Sequence, residues 1–182
     1  MKALTLRQPW ASLVSLGVKT IETRSWEPPA SAIGRPLAIH AGARKPRRIW
    51  VPLNEDPPAV VDLIAMGRYY DIEENINEPG EFSYHWAGPL GAVVATCTLV
   101  DVVPTSDLRW TGLWAGWAWQ GLGGSCVRHV PCLSDRGPVV VNQDERPYGD
   151  FTTDRYAWLL DDIKHVDPIP AKGKQGLWEY AA

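Results

Sequence analysis

Between Gly17 and Trp26 the chain reads GVKTIETRSW, which brings an amine, a carboxylate, a guanidinium and an indole into one short stretch. On an extended backbone Thr20, Glu22, Arg24 and Trp26 face one way and Ile21 and Thr23 the other, with Lys19 at the mouth of the row. Two chemistries fit this arrangement. In the first, Lys19 and Arg24 meet a phosphate or a base carbonyl, Glu22 accepts a hydrogen bond from an exocyclic amine, and Trp26 stacks on a base. In the second, Lys19, Glu22 and Arg24 are catalytic. Lys19 then serves as a base only where burial or Arg24 disfavours its charged form, an effect that Glu22 opposes. A plainer reading needs no ligand: surface charges on a strand satisfy one another, each exposed pair worth at most about 1 kcal/mol.

Other residues are candidates for the same site. Arg7, Gln8 and Trp10 lie where a strand hands over to a helix, so that backbone N–H groups at the helix start can join an anion site, less the one that Pro9 removes. His40 ends a strand expected to neighbour Glu22, although a hydrogen-bonded structural histidine is the commoner outcome there. Arg44 and Lys45 open a basic run to Arg48, either a solvated face or a patch that tracks a phosphate backbone. Lys172 and Lys174 sit on a Gly-containing loop before Trp178 and can clamp a phosphate, or simply be solvated. Asp161 and Asp162 read as surface charges.

The elements that position these residues follow from local pattern. KALTL is a strand, and QPWASLVSLG is a short helix with Pro9 in its first turn and Gly17 ending it in a left-handed conformation. TIETRSW is a strand, EPPASAIGR a loop, and PLAIHA a buried strand. GAVVATCTLVDVVP is a long β-branched run that belongs at the centre of a sheet. PPAVVDLIAMG has helical spacing, and the acidic, turn-rich stretch 71–85 reads as a mobile loop. RYAWLLDDIKHV and LWEYAA are the last strands, separated by a Pro/Gly loop, DPIPAKGKQG. In 104–155, Trp110, Trp114 and Trp117 have the spacing of one helical face, but the surrounding glycines weaken any helix. These tryptophans fit an aromatic lid or a plug over a barrel end.

Composition narrows the partners. The net charge of −3 argues against indiscriminate coating of nucleic acid, which needs many phosphate contacts. The charge is split, however: residues 1–50 carry nine Lys and Arg against two Glu, and the rest of the chain is acidic. A basic segment in an acidic protein can take a polyanion locally. Three cysteines without a CxxC pair and four scattered histidines fit no zinc-ligand spacing, so neither a metal nor a cofactor is expected. No Walker, dinucleotide or Gly-x-Ser-x-Gly element is present. No signal peptide and no apolar run long enough to span a membrane are evident, which gives a cytoplasmic protein with reduced thiols as the expectation.

Short strands, one early helix and a long central strand predict an α+β, mainly β fold: a small barrel with peripheral helices. The combination LTLRQPWASLVSLGVKTIETRSW, GRPLAIHAG, YAWLLDDIK and KGKQGLWEY resembles the ASCH (activating signal cointegrator homology) family of the PUA-like superfamily. The resemblance is strongest over 1–42, returns over 88–103 and 156–180, and leaves 104–155 as a Trp/Gly-rich insertion in a single domain spanning 1–182. It implies a PUA-like β-barrel with a cleft between barrel and early helix that binds RNA or single-stranded nucleic acid, with a modified nucleotide as one form of the ligand. Short bacterial relatives act as amidohydrolases on an acylated cytidine. Their lysine corresponds to Lys19, but their nucleophilic threonine falls on Glu22, and a carboxylate does not replace a hydroxyl nucleophile in amide cleavage. The alternatives to a binding module are therefore a hydrolase (nuclease or amidohydrolase) and a protein-interaction domain using the Trp-rich stretch.

Overall fold

A computed structural model describes residues 1–46, 49–52, 69–74, 81–111 and 139–181. Its main sheet has six strands in the order β11-β1-β3-β7-β10-β2, curled into a half-barrel, which is the PUA-like barrel architecture implied by the resemblance. The strands are β1 (Lys2–Leu6), β2 (Ile21–Arg24), β3 (Arg35–Ala41), β7 (Ala92–Pro104), β10 (Tyr156–Pro170) and β11 (Leu177–Glu179). Strands β1 and β3 pair in parallel and their other neighbours antiparallel. The β-branched run of β7 lies between β3 and β10, where both of its edges are hydrogen-bonded.

Period 2 decides what each face buries. Leu4 and Leu6 of β1, Leu37, Ile39 and Ala41 of β3, and Trp158 and Leu160 of β10 join one cluster, closed by Ala11 and Val14 of helix α1 (Trp10–Ser15). The intervening residues Ala3, Ala38 and Val93 pack with Trp178 and Tyr180 in a separate cluster. Helix α1 is preceded by Pro9 as its N-cap and followed by Gly17 at φ +73°, a left-handed turn that costs glycine little and sends the chain back towards β2.

Strands β4 (Ile49–Pro52), β6 (Glu81–Trp86) and β5 (Tyr70–Glu74) form a second sheet, and β8 (Leu108–Thr111) pairs in parallel with β9 (Val139–Asn142). The second sheet corrects the loop expected over 71–85. Tyr70 and Ile72, and then Phe82, Tyr84 and Trp86, recur at alternate positions, and this aromatic, β-branched pattern outweighs the acidic composition. Trp110 lies in β8, so the helical face drawn through it does not form; the parallel pairing imposes an extended backbone. Trp114, Trp117 and the helix expected over 57–67 lie outside the described residues. Strand β10 also runs on through Asp167–Pro170, shortening the expected loop. Its pairing with β7 continues to Pro170 through several register shifts, which accommodate the prolines.

Candidate functional site

Strand β2 lies at one edge of the sheet, and among the described residues it pairs only with β10. Its register sets Glu22 opposite Trp158 and Arg24 opposite Tyr156, and Ile21 and Thr23 opposite Leu159 and Ala157. Ile21 accordingly buries with Ala157, Leu159 and Leu108. Glu22 and Arg24 share the other face and open into a cleft of about 860 Å³. Arg24 Nε stands 3.0 Å from Glu22 Oε1 in an ion pair that is off the line of a hydrogen bond, and Arg24 Nη2 donates to the Thr5 carbonyl at 3.2 Å. Trp26 lies against Trp158 edge to face, at 4.8 Å between centroids, and also lines the cleft.

Other elements complete the lining. Thr5 and Leu6 come from β1, Arg7 from the turn after it and Trp10 from the start of α1, Lys174, Gln175 and Gly176 from the loop before β11, and Pro147 to Asp150 with Arg155 from the segment before β10. Of the residues expected at the site, the structure thus gathers Arg7, Trp10, Glu22, Arg24, Trp26 and Lys174 around one opening. Among the described residues Arg7 and Lys174 are exposed and carry no ion pair, whereas Arg155 pairs with Asp150 at 3.1 Å.

Lys19 is placed differently. It is 1% exposed, and its ammonium donates to the Ile21 carbonyl and, at 2.6 Å, to the Tyr148 carbonyl, with Glu22 Oε2 at 3.3 Å. Two carbonyls and the Glu22 carboxylate thus hold the ammonium, and Lys19 does not line the cleft where the expected phosphate contact would lie. Beside it Glu145 is buried. Its Oε1 accepts the Thr20 N–H at 2.7 Å and the Thr20 hydroxyl, while Oε2 has no hydrogen-bond partner among the described residues. Burial pushes this carboxyl above the usual range, against the Thr20 hydrogen bonds and the Lys19 charge.

Several other candidates hold the scaffold outside the cleft lining. Gln8 is buried: Nε2 donates to the Pro89 carbonyl at 2.8 Å and Oε1 accepts the Ser12 N–H at 3.1 Å. The Ala11 N–H donates to the Arg7 carbonyl and the Ser12 N–H to Gln8 Oε1, so these two donors at the start of α1 are taken by the protein rather than open to an anion. His40 does not neighbour Glu22, because β7 and β10 separate its strand from β2. Its Nε2 lies 3.0 Å from the Ala171 carbonyl, which can only accept, so that nitrogen carries the proton. The ring stacks edge to face on Trp178, and burial lowers its pKa. Trp178 itself is buried and donates to Thr5 Oγ1 at 3.1 Å. Arg44, Lys45 and Lys172 are exposed and do not line the cleft, and Arg47 and Arg48 lie outside the described residues.

Other nucleophiles are constrained. Burial and the nearby Asp162 charge push the Cys97 thiol up to about 12, which leaves almost no thiolate at neutral pH. Thr23 Oγ1 accepts the Asp150 N–H at 3.0 Å. No group of His, Cys, Asp and Glu that could hold a metal occurs among the described residues, and no described helix is long and apolar enough to cross a membrane.

Sequence reasoning missed the wall made by Tyr148, Gly149, Asp150 and Arg155, which it assigned to an insertion. The local signal in RPYGD was only that of a turn. Its meeting with Lys19 spans 129 positions and becomes visible only in the fold.

An edge strand and an early helix flanking a cationic, aromatic cleft on a curled β-sheet define a PUA-like domain. The ASCH domain profile matches residues 4–116, more than half of the chain, and the protein belongs to that family. Nucleic-acid binding is the family's general function. Among solved structures, the ASCH protein of Zymomonas mobilis is 17% identical, with 99% of this chain and 87% of that chain covered and a TM-score of 0.44. A point variant of it is 16% identical, with 99% and 89% covered and a TM-score of 0.43. Likeness at this level identifies neither a ligand nor site residues. No curated protein matches the chain.

Proposed function

We propose that the cleft binds RNA or another single-stranded nucleic acid, a modified nucleotide included. The observation that carries this reading is the lining itself, in which Arg7, Arg24, Arg155 and Lys174 surround one opening together with the indoles of Trp10 and Trp26. Glu22 and Asp150 offset two of the four cations, leaving Arg7 and Lys174 to meet phosphate oxygens. Trp26 offers a surface for stacking, typically worth about 1–3 kcal/mol per base. The partly neutralised Glu22 at the floor remains an acceptor suited to an exocyclic amine. A cleft of about 860 Å³ also falls within the usual size of ligand sites, about 300–1,000 Å³.

A hydrolytic role draws less support, because the Lys19 ammonium is held by protein oxygens and the Thr23 hydroxyl, beside Glu22 in the chain, is engaged with the Asp150 N–H. The test is anisotropy of labelled single-stranded RNA and DNA with the wild type, with Arg7→Ala plus Lys174→Ala, and with Trp26→Ala, while the oligonucleotides and acylated nucleosides are monitored for conversion. Salt-sensitive binding, weakened in both variants without turnover, supports the reading. Wild-type binding that is absent or indifferent to salt overturns it, and turnover replaces it with a hydrolase.

A further inference from the structure

The outer edge of β2, which pairs with no other strand among the described residues, faces the segment 143–150. In an isolated sheet Thr20 and Ile21 would leave main-chain groups unmatched there, because the Thr20 carbonyl and the strand's other edge already serve β10. Glu145 Oε1 takes the Thr20 N–H, and Lys19 Nζ bridges the Ile21 and Tyr148 carbonyls. Thr23 Oγ1 receives the Asp150 N–H. Side chains of the Lys19–Thr23 stretch and of Glu145 thus bind a distant piece of chain to the outer edge of the strand, and these residues are buried.

That piece is the cleft's far wall. The approach is close: a Cβ on Gly149 would stand 2.7 Å from the Phe151 ring and 3.2 Å from Thr23 Cγ2. The segment is a 3-10 helix, Gln143–Tyr148, that contains Pro147, and such short helices have little stability of their own. These tethers, with the Asp150–Arg155 ion pair, hold it against β2.

We propose that Lys19, Thr20 and Glu145 are positioning residues, which latch the Pro147–Asp150 wall onto β2 in the geometry that the cleft's ligand requires. The proposal rests on the nucleic-acid reading above. It gives the Gly-x-Lys-Thr part of the motif a different task from the Glu-x-Arg part: the former builds the wall, and the latter faces the ligand.

The closing experiment compares oligonucleotide affinity for the wild type, Thr20→Val, Thr20→Ser, Glu145→Gln and Glu145→Ala, each checked for an intact fold by thermal melting. Thr20→Val keeps the shape and removes one donor, and roughly a five- to tenfold loss of affinity is expected. Thr20→Ser should restore binding, and Glu145→Gln, which keeps an acceptor oxygen, should bind more tightly than Glu145→Ala. Wild-type binding with unchanged affinity in Thr20→Val and Glu145→Ala overturns the latch alone. A loss in Thr20→Val that Thr20→Ser does not recover also overturns it. A wild type that binds no oligonucleotide overturns the reading of the cleft and the latch with it.

Discussion

Gly173 packs so closely on His40 that a Cβ at position 173 would stand 2.7 Å from Nδ1 and 3.0 Å from Thr5 Oγ1. The residue after it, Lys174, lines the cleft, whereas His40 does not. His40 thus forms a shelf on which a cleft loop rests. Gly173→Ala should cost about 1–3 kcal/mol in urea unfolding, as overpacking generally does. The cost should shrink in the double variant with His40→Ala, where the methyl group has room. Additive effects in that cycle would show that the contact is not coupled.

Glu145 and His40 should give stability opposite pH slopes. The Glu145 carboxyl is raised in the folded state, so between the ordinary value of 4.5 and its folded value the native protein holds more protons than the unfolded chain. Its contribution to stability therefore falls as pH rises through that window. The His40 imidazole is lowered from 6.5, so its contribution falls as pH drops below 6.5 towards the folded value. Unfolding measured from pH 4.5 upwards should find that Glu145→Gln gains stability relative to wild type with rising pH, and that His40→Asn removes the loss on the acid side of 6.5.

Replacing Lys19 should act on the fold before it acts on the ligand. Lys19→Met leaves Glu22 and the Tyr148 carbonyl in a buried setting without the ammonium, a change that typically costs about 3–5 kcal/mol. A lowered melting temperature is the expected result. A variant as stable as wild type but unable to bind would return Lys19 to the ligand.

Lys174→Ala should preserve the fold and weaken oligonucleotide binding across sequences. If its ammonium meets one phosphate of a single strand, the slope of log affinity against log salt should fall in magnitude by about 0.7. Arg44→Ala, an exposed position outside the cleft lining, should leave that slope unchanged. A larger effect at Arg44 would place the phosphate track outside the cleft.

Much of this architecture was legible locally. Alternation in TIETRSW identified Glu22 and Arg24 as facing away from Ile21, because a strand's side-chain period is independent of what it packs against. The β-branched run 92–103 identified the central strand, and Pro9 with Gly17 bracketed the helix, for equally local reasons. Alternation at 70–72 and 82–86 was also present, but acidic composition masked it.

What the tertiary structure alone decided is which of these residues meet. His40 ends a strand as expected, yet strand order sets β7 and β10 between it and β2, and no local pattern encodes that order. Lys19 stands in the expected motif, yet its ammonium is buried against the Ile21 and Tyr148 carbonyls and the Glu22 carboxylate, and the second of these partners comes from 129 positions away. Periodicity and turn chemistry act over a few residues and can be read from the sequence. The cleft's far wall arises from contacts across more than a hundred positions, where chain closure and the satisfaction of buried polar groups decide the outcome.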